Sequence, residues 1–260
     1  AAAVWLTHAG GVGRTVAEMM DAGSASENVV PAHVTRFQPH SGSDAFVRDR
    51  GYRQYDTVYD VVHPRDSAVT NRELRTGPFY DRQAALDAEF YEADGWERAR
   101  WYGANEDLLD RYGEEIPERT GWEARFWSPI EAAEHLAARD GVGLFDLSNF
   151  TTIDIEGTGA AGFAQRVFTN DMDIDVGDVR YTLLCNHRGN LLGDMTVVRL
   201  AEDRYHVLAN SGAAGTEQLA WLREQADGDH SVSVTNRVSS RAGVGVWGPD
   251  ARELLAPLVE

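Results

Sequence analysis

The hydrophobic pattern is sharpest between Arg180 and Leu200, a stretch that reads as one hairpin. Tyr181 to Cys185 is rich in β-formers, Asn186 to Asn190 is a turn cluster with Gly189, and Leu191 to Leu200 sets Val and Thr on a period of two. Regular patterning begins at Trp122. Ser128 is suited to an N-cap, Pro129 to the first helical position and Glu131 to the reciprocal bond of a capping box, so a helix is predicted to about Arg139, stopped by Gly141. Thr151, Ile153 and Ile155 alternate with Thr152 and Asp154, the rhythm of a half-buried strand over Phe150 to Ile155. Gly157 turns the chain into a short helix to Val167 that buries Ala161, Phe163, Ala164 and Val167. Strands are predicted at 205–209, 231–238 and 242–247, with a helix at 216–225 and another opening near Asp250 and still running at Glu260.

Upstream the rhythm is weaker. Residues 1–23 read as a strand (Val4-Trp5-Leu6), a glycine turn (Gly10-Gly11-Val12-Gly13) and a helix from Thr15 to Asp21. Glycines ahead of a helix leave backbone N–H groups free for a phosphate or a flavin oxygen. An ordinary tight turn explains them equally well, and no complete G-x-G-x-x-G is present. Residues 24–60 read as irregular and polar. From 61 to 115, arginines and aromatics alternate, as in Leu74-Arg75-Thr76-Gly77-Pro78-Phe79-Tyr80 and Gly95-Trp96-Glu97-Arg98. Such residues serve nucleic-acid stacking or Arg–aromatic and Arg–carboxylate packing between domains.

Charge decides between those two. The net charge is −18, and every one of the 24 basic residues is arginine. A surface this acidic repels nucleic acid and anionic membranes, which leaves packing. The absence of lysine removes Schiff-base chemistry from these residues and, with the acid excess, points to salt adaptation, a halophilic setting. No apolar run is long enough to span a bilayer, and Ala1 to Leu6 lacks the basic flank of a signal peptide. Cys185 is the single cysteine, so no internal disulfide forms and a reducing, cytoplasmic compartment is expected. His8, His40 and His63 show no metal-ligand spacing, and no metal site is read here. One residue opposes its surroundings: Asp194, between Gly193 and Met195, where the strand is most apolar. A carboxylate there must be solvated, paired or used, unless Gly-Asp simply marks a bulge.

An ordered set of segments carries a resemblance. Gly143-Leu144-Phe145-Asp146-Leu147-Ser148, Phe168-Thr169-Asn170-Asp171, Gly193-Asp194-Met195-Thr196-Val197, Leu219-Ala220-Trp221-Leu222 and Val246-Trp247-Gly248-Pro249-Asp250-Ala251 follow in the order and spacing of the aminomethyltransferase (glycine-cleavage T-protein) folate-binding domain. Trp5 to Gly13 and Gly95-Trp96-Glu97-Arg98 look like the sequences joining the FAD and folate domains of dimethylglycine and sarcosine dehydrogenases. The resemblance implies an α+β fold of antiparallel strands with packed helices. It divides the chain into the tail of an FAD-dependent oxidoreductase domain (1–40), a central connecting domain (41–117) and the first part of a folate-binding domain (118–260), with both chain ends read as truncations.

The implied chemistry is oxidation of a methylated amine by FAD and capture of the released carbon on tetrahydrofolate. The family's catalytic aspartate falls on Asp194, where a nearly dry apolar strand would strengthen its hold on a cationic carbon. Gly193 stands where T-proteins often carry a second acid. Tyr181 matches a tyrosine near the folate, Asn170 is set to line the same cavity or cap a turn, and Phe150 occupies the place of a methionine beside the pterin. Gly10, Gly11 and Gly13 are the flavin candidates. The implied partners are a small methylated amine and tetrahydrofolate, with no nucleic acid and no membrane; the oligomeric state is left open. Competing readings are a free-standing aminomethyltransferase, a non-catalytic folate-domain relative and a sulfonium demethylase. Residues 1–115 argue against the first and third, and Cys185, in Leu-Leu-Cys-Asn-His, lacks the cysteine motif of the second.

Overall fold

The structure, a computed structural model, describes residues 5–23, 29 and 34–259. Its first helix, α1 (Trp5–Ala22), is followed by α2 (Asp44–Asp56), α3 (Tyr80–Ala85) and a hairpin of β1 (Ala88–Ala93) and β2 (Trp96–Tyr102). Then come α4 (Leu108–Tyr112), α5 (Pro129–Asp140), β3 (Gly143–Asp146), β4 (Phe150–Glu156), α6 (Ala160–Val167), β5 (Val179–Cys185), β6 (Leu191–Ala201) and β7 (Arg204–Ser211). The chain ends with α7 (Gly212–Gln225), β8 (Ser233–Asn236), β9 (Val244–Trp247) and α8 (Ala251–Leu255). β4 to β8 form one antiparallel sheet in the order β5-β6-β7-β4-β8, and β3 pairs with β9.

The central sheet has one buried and one open face. Ile153, Ile155, Leu184, Met195, Val197, Tyr205 and Val207 point to α6 and α7, where Phe163, Ala164, Val167, Leu219 and Leu222 close the core. Because strand side chains alternate, the neighbouring residues Val179, Tyr181, Leu183 and Leu208 emerge on the opposite face, where they are exposed. Asp194 lies on this open face.

The predicted hairpin forms, with Asn186 to Asn190 as its turn and Gly189 at φ +79°. A register shift lets Leu184 pair with Gly193 and Cys185 with Leu191, so a bulge sits at Leu192, two residues before Asp194. The helix after Ser128 also forms, its N-terminus held by the Ser128 hydroxyl accepting from Ile130 N–H at 3.2 Å. Glu131 does not close a capping box. Its carboxylate instead takes two bonds from Arg65, at 2.7 and 2.8 Å, tying the upstream segment to α5.

Five expectations are corrected. Leu6 to Gly13 is no strand and glycine turn but part of the single helix α1, with Val4 outside the described residues. Leu6, Ala9, Gly13, Val16 and Met20 keep helical spacing through the glycines, and without proline the local cost of about 1 kcal/mol per glycine does not break the helix. Residues 44–56, read as irregular, are α2, capped by the Ser43 hydroxyl accepting from Phe46 N–H. α7 starts at Gly212, four residues earlier than its pattern indicates. The last helix stops at Leu255 and passes into a 3-10 turn at Ala256–Leu258, since Pro257 lacks the N–H that continuation needs; Glu260 is outside the described residues. Asp154, expected on a polar strand face, is 0% exposed. It accepts from Arg204 (2.9 Å), Arg237 (3.1 Å) and Arg241 (3.2 Å) and pairs with His206 Nδ1 at 2.6 Å. Burial alone would raise its pKa, but these partners hold it down at about 2.

The arginine–aromatic segment packs. The Arg75 guanidinium lies 4.0 Å over Trp96, Arg100 lies 4.6 Å over Tyr91, and Arg72 grips the buried Glu97 with two bonds.

Candidate functional site

Asp194 projects from β6 directly opposite Leu183 on β5. Thr196 pairs with Leu208 on the other side, and continuing that register two residues sets Asn210 of β7 beside Asp194. The carboxylate is thereby flanked by two donors. Tyr181 Oη donates to Oδ2 at 3.1 Å, and Asn210 Nδ2 donates to Oδ1 at 3.3 Å. The Asn210 bond, the Tyr181 bond and its own backbone N–H hold the Asp194 carboxyl below the usual range, so it is ionised at neutral pH. The same bond to Asp194 raises the Tyr181 hydroxyl, which keeps its proton.

A second row of groups fixes the first. Gln218 of α7 is 0% exposed and reaches under the strand. Its Nε2 donates to Asn210 Oδ1 (2.5 Å) and Leu192 carbonyl (2.9 Å), while its Oε1 accepts from Asn210 N–H (3.1 Å). The amide of Asn210 is thus locked with its nitrogen toward Asp194. Gly193 makes room for this: a Cβ there would overlap both Gln218 Nε2 and Asn210 Oδ1.

The expected dryness is corrected. Asp194 is exposed and the Tyr181 ring beside it is 63% exposed, whereas Asp154 of β4, on the same face of the sheet, is covered by its arginines. Asn170 belongs to the surroundings of the site. Its Nδ2 donates to the Tyr181 carbonyl (3.0 Å), its N–H to Thr182 Oγ1 (3.0 Å), and its Oδ1 accepts from Asp171 N–H (2.8 Å), so it both caps its turn and anchors the strand bearing Tyr181. Phe150 is half-buried at the start of β4, paired with Ser211, the residue after Asn210. Gly10, Gly11 and Gly13 lie inside α1 on exposed surface, so their N–H groups are spent on the helix rather than presented to a ligand.

Residues 79–260 match the GCVT N-terminal domain family. The chain belongs to that family. Ahead of the GCVT domain, residues 22–77 match the FAD dependent oxidoreductase central domain. The chain is 34% identical over 95% of its length to a 4-methylaminobutanoate oxidase (formaldehyde-forming) of Paenarthrobacter nicotinovorans. It is 29% identical over 97% of its length to the mouse mitochondrial pyruvate dehydrogenase phosphatase regulatory subunit. It spans only 29% and 28% of those two proteins. The GCVT portion is 32% identical, over 59% of the chain and 42% of the relative, to an aminomethyltransferase of Bacillus velezensis. In three dimensions the crystal structure of the glycine cleavage system aminomethyltransferase T from Bartonella henselae superposes with a TM-score of 0.55 at 28% identity, covering 71% of this chain and 43% of that one. The fold is therefore aminomethyltransferase-like, with an FAD-oxidoreductase central segment attached.

Within this GCVT domain, sequence reasoning missed Asn210 and Gln218. The available signal was slight: Asn210 follows the apolar run Val207-Leu208-Ala209, two residues ahead of the small-residue start of α7 at Gly212. Only the pairing of β6 with β7 makes it a neighbour of Asp194.

Proposed function

We propose that this chain is the one-carbon-transferring part of a flavin-dependent N-methyl amine dehydrogenase, acting on a small methylated amine of the dimethylglycine or sarcosine type. In this reading the open sheet face takes tetrahydrofolate. The observation that carries it is the ionised Asp194, held between Tyr181 and Asn210 on a face bordered by exposed Tyr181, Leu183 and Leu208. Those residues fit a pterin: a flat ring can lie against Tyr181 and the leucines, and a carboxylate can accept from ring N–H groups.

Tetrahydrofolate, when bound, supplies the nucleophilic nitrogens that accept the carbon. The chain's part is positional and electrostatic. Asp194 stabilises positive charge on an iminium-level carbon and takes up the proton released when a nitrogen is alkylated. Tyr181 and Asn210 keep one lone pair of each oxygen occupied, which orients the carboxylate. Gly10, Gly11 and Gly13 do not fit a flavin, so no part of the oxidation is assigned to them.

The test uses the intact native polypeptide. Asp194→Asn is expected to leave amine oxidation largely unchanged while formaldehyde is released in place of methylene-folate. Equal coupling in variant and wild type overturns the assignment. A regulatory, non-catalytic role is the second reading, favoured by the relative named as a phosphatase regulatory subunit. Turnover of tetrahydrofolate to its methylene form by the native polypeptide separates the two.

A further inference from the structure

A second polar site lies away from Asp194. Between the upstream segment and α7 is a cavity of about 40 Å³, lined by Gln38, Arg75, Trp96, Asn149, Thr216 and Asn236. Gln38 and Arg75 come from the FAD-oxidoreductase central segment, the other four from the GCVT domain. We propose that this cavity binds the carboxylate of a small organic acid.

The argument starts from Arg75. Its guanidinium is half-buried on the Trp96 ring, and among the described residues it makes no ion pair and no side-chain hydrogen bond. In a chain with 42 acids that isolation is specific. The nearby acids are committed elsewhere. Glu92 pairs with Arg50 (3.0 Å) and accepts from Gly95 N–H, and Glu97 takes both bonds of Arg72 and the Glu73 N–H. Asp94 packs its carboxylate against Gly212 yet makes no ion pair with Arg75. Burial lowers the Arg75 pKa with no acid acting to raise it. A buried charge without a counter-charge is costly, and a ligand anion removes that cost.

The rest of the lining adds donors. Gly212 and Thr216 place the N-terminus of α7, 14 residues long and without a side-chain cap, at the cavity wall. Its partial positive charge, which already faces the Asp94 carboxylate at Gly212, favours an anion. The amides of Asn149 and Asn236 also line the space, and Gln38 Nε2 already donates to Thr216 Oγ1 at 3.0 Å. A planar guanidinium suits a planar carboxylate through paired hydrogen bonds. The volume is on the scale of one small head group.

The site is independent of the proposed reaction, and its test reads binding. The intact native polypeptide is titrated with acetate at constant ionic strength, following tryptophan emission and thermal unfolding. The expected result is a saturable change of emission and a Tm rise of about 3–5 °C at acetate tenfold above its Kd. Acetamide, the neutral isostere, is expected to do neither. Arg75→Gln removes both responses, and Asp194→Asn retains them. Hexanoate at a matching midpoint identifies the head of a longer acid as the ligand; failure of hexanoate alongside success of acetate identifies a free small acid. The proposal is overturned if acetate and acetamide act alike on the wild type, a comparison that needs no variant to fold. It is equally overturned if Arg75→Gln keeps the wild-type midpoint, or if Asp194→Asn loses the response.

Discussion

Gly193→Ala is the most informative single change at the Asp194 site, because it touches no ligand-facing atom. The added Cβ would overlap Gln218 Nε2 and Asn210 Oδ1, and Gln218 has no free space to retreat into at 0% exposure. Forcing a methyl into such a place costs about 1–3 kcal/mol. Displacing Gln218 also loosens its bonds to Leu192 carbonyl and to Asn210 N–H, each worth about 1 kcal/mol net. If both bonds are lost the total is about 3–5 kcal/mol, read as a lower urea midpoint at unchanged slope. A double-mutant cycle isolates the cause. Gln218→Ala alone loses the same bonds but removes the closer of the two overlaps and frees the Asn210 amide to shift, so adding Gly193→Ala to it should cost less than in the wild type. A coupling of about 1 kcal/mol or more is expected between the two positions. If the two penalties add to within about 0.5 kcal/mol, the overlap does not govern the cost and the reasoning fails.

Three further outcomes follow from the geometry. Asp154 has a folded pKa of about 2, below its unfolded value, so its stabilisation is complete above about pH 4 and is lost as pH falls toward 2. The shift corresponds to at most about 2 kcal/mol, reduced toward 1 by solvent around the half-exposed arginines, and Asp154→Asn should flatten that limb of a urea-midpoint-against-pH curve. Leu222→Ala, at a fully buried core position of α7, should cost about 2–5 kcal/mol by urea unfolding. Arg65→Ala removes two bonds to Glu131 and should increase proteolytic nicking between residues 57 and 70 while leaving the central sheet protected in hydrogen exchange.

The sheet and most of its helices were legible because their signals are local. Asn186 to Asn190 punctuates two period-two runs, Ser128-Pro129 opens a helix, and Gly157 closes a strand. Asp194 was legible for a related reason, as a carboxylate in a run of apolar residues. The errors share another cause. Gly10, Gly11 and Gly13 were weighed as punctuation, whereas the helical spacing of the apolar residues around them governs α1. α2 buries no residue fully, so it offers no strong apolar stripe to read. Asp154 read as a solvated strand residue because its partners Arg204, Arg237 and Arg241 are 50, 83 and 87 residues away. Asn210 and Gln218 were invisible on the same ground: their meaning is a strand register and a helix packing, neither of which is local.

The exposure of Asp194 sets the terms for any catalysis on this face. Opposite charges about 4 Å apart attract by about 1 kcal/mol in water but by about 4 kcal/mol at the effective dielectric of a protein surface cleft. The difference is about a hundredfold in rate, and Asp194 gains it only when water is displaced from the open face. Tyr181, Leu183 and Leu208 are the residues that reward such a cover, since each is an apolar surface left facing solvent. The orientation of the carboxylate, by contrast, needs no cover. It is built in from behind, through Asn210, Gln218 and the space left by Gly193, on the packed side of the same sheet. The two requirements for a charged group in catalysis are thus divided between the two faces: α7 provides position, and whatever occupies the open face provides the low dielectric.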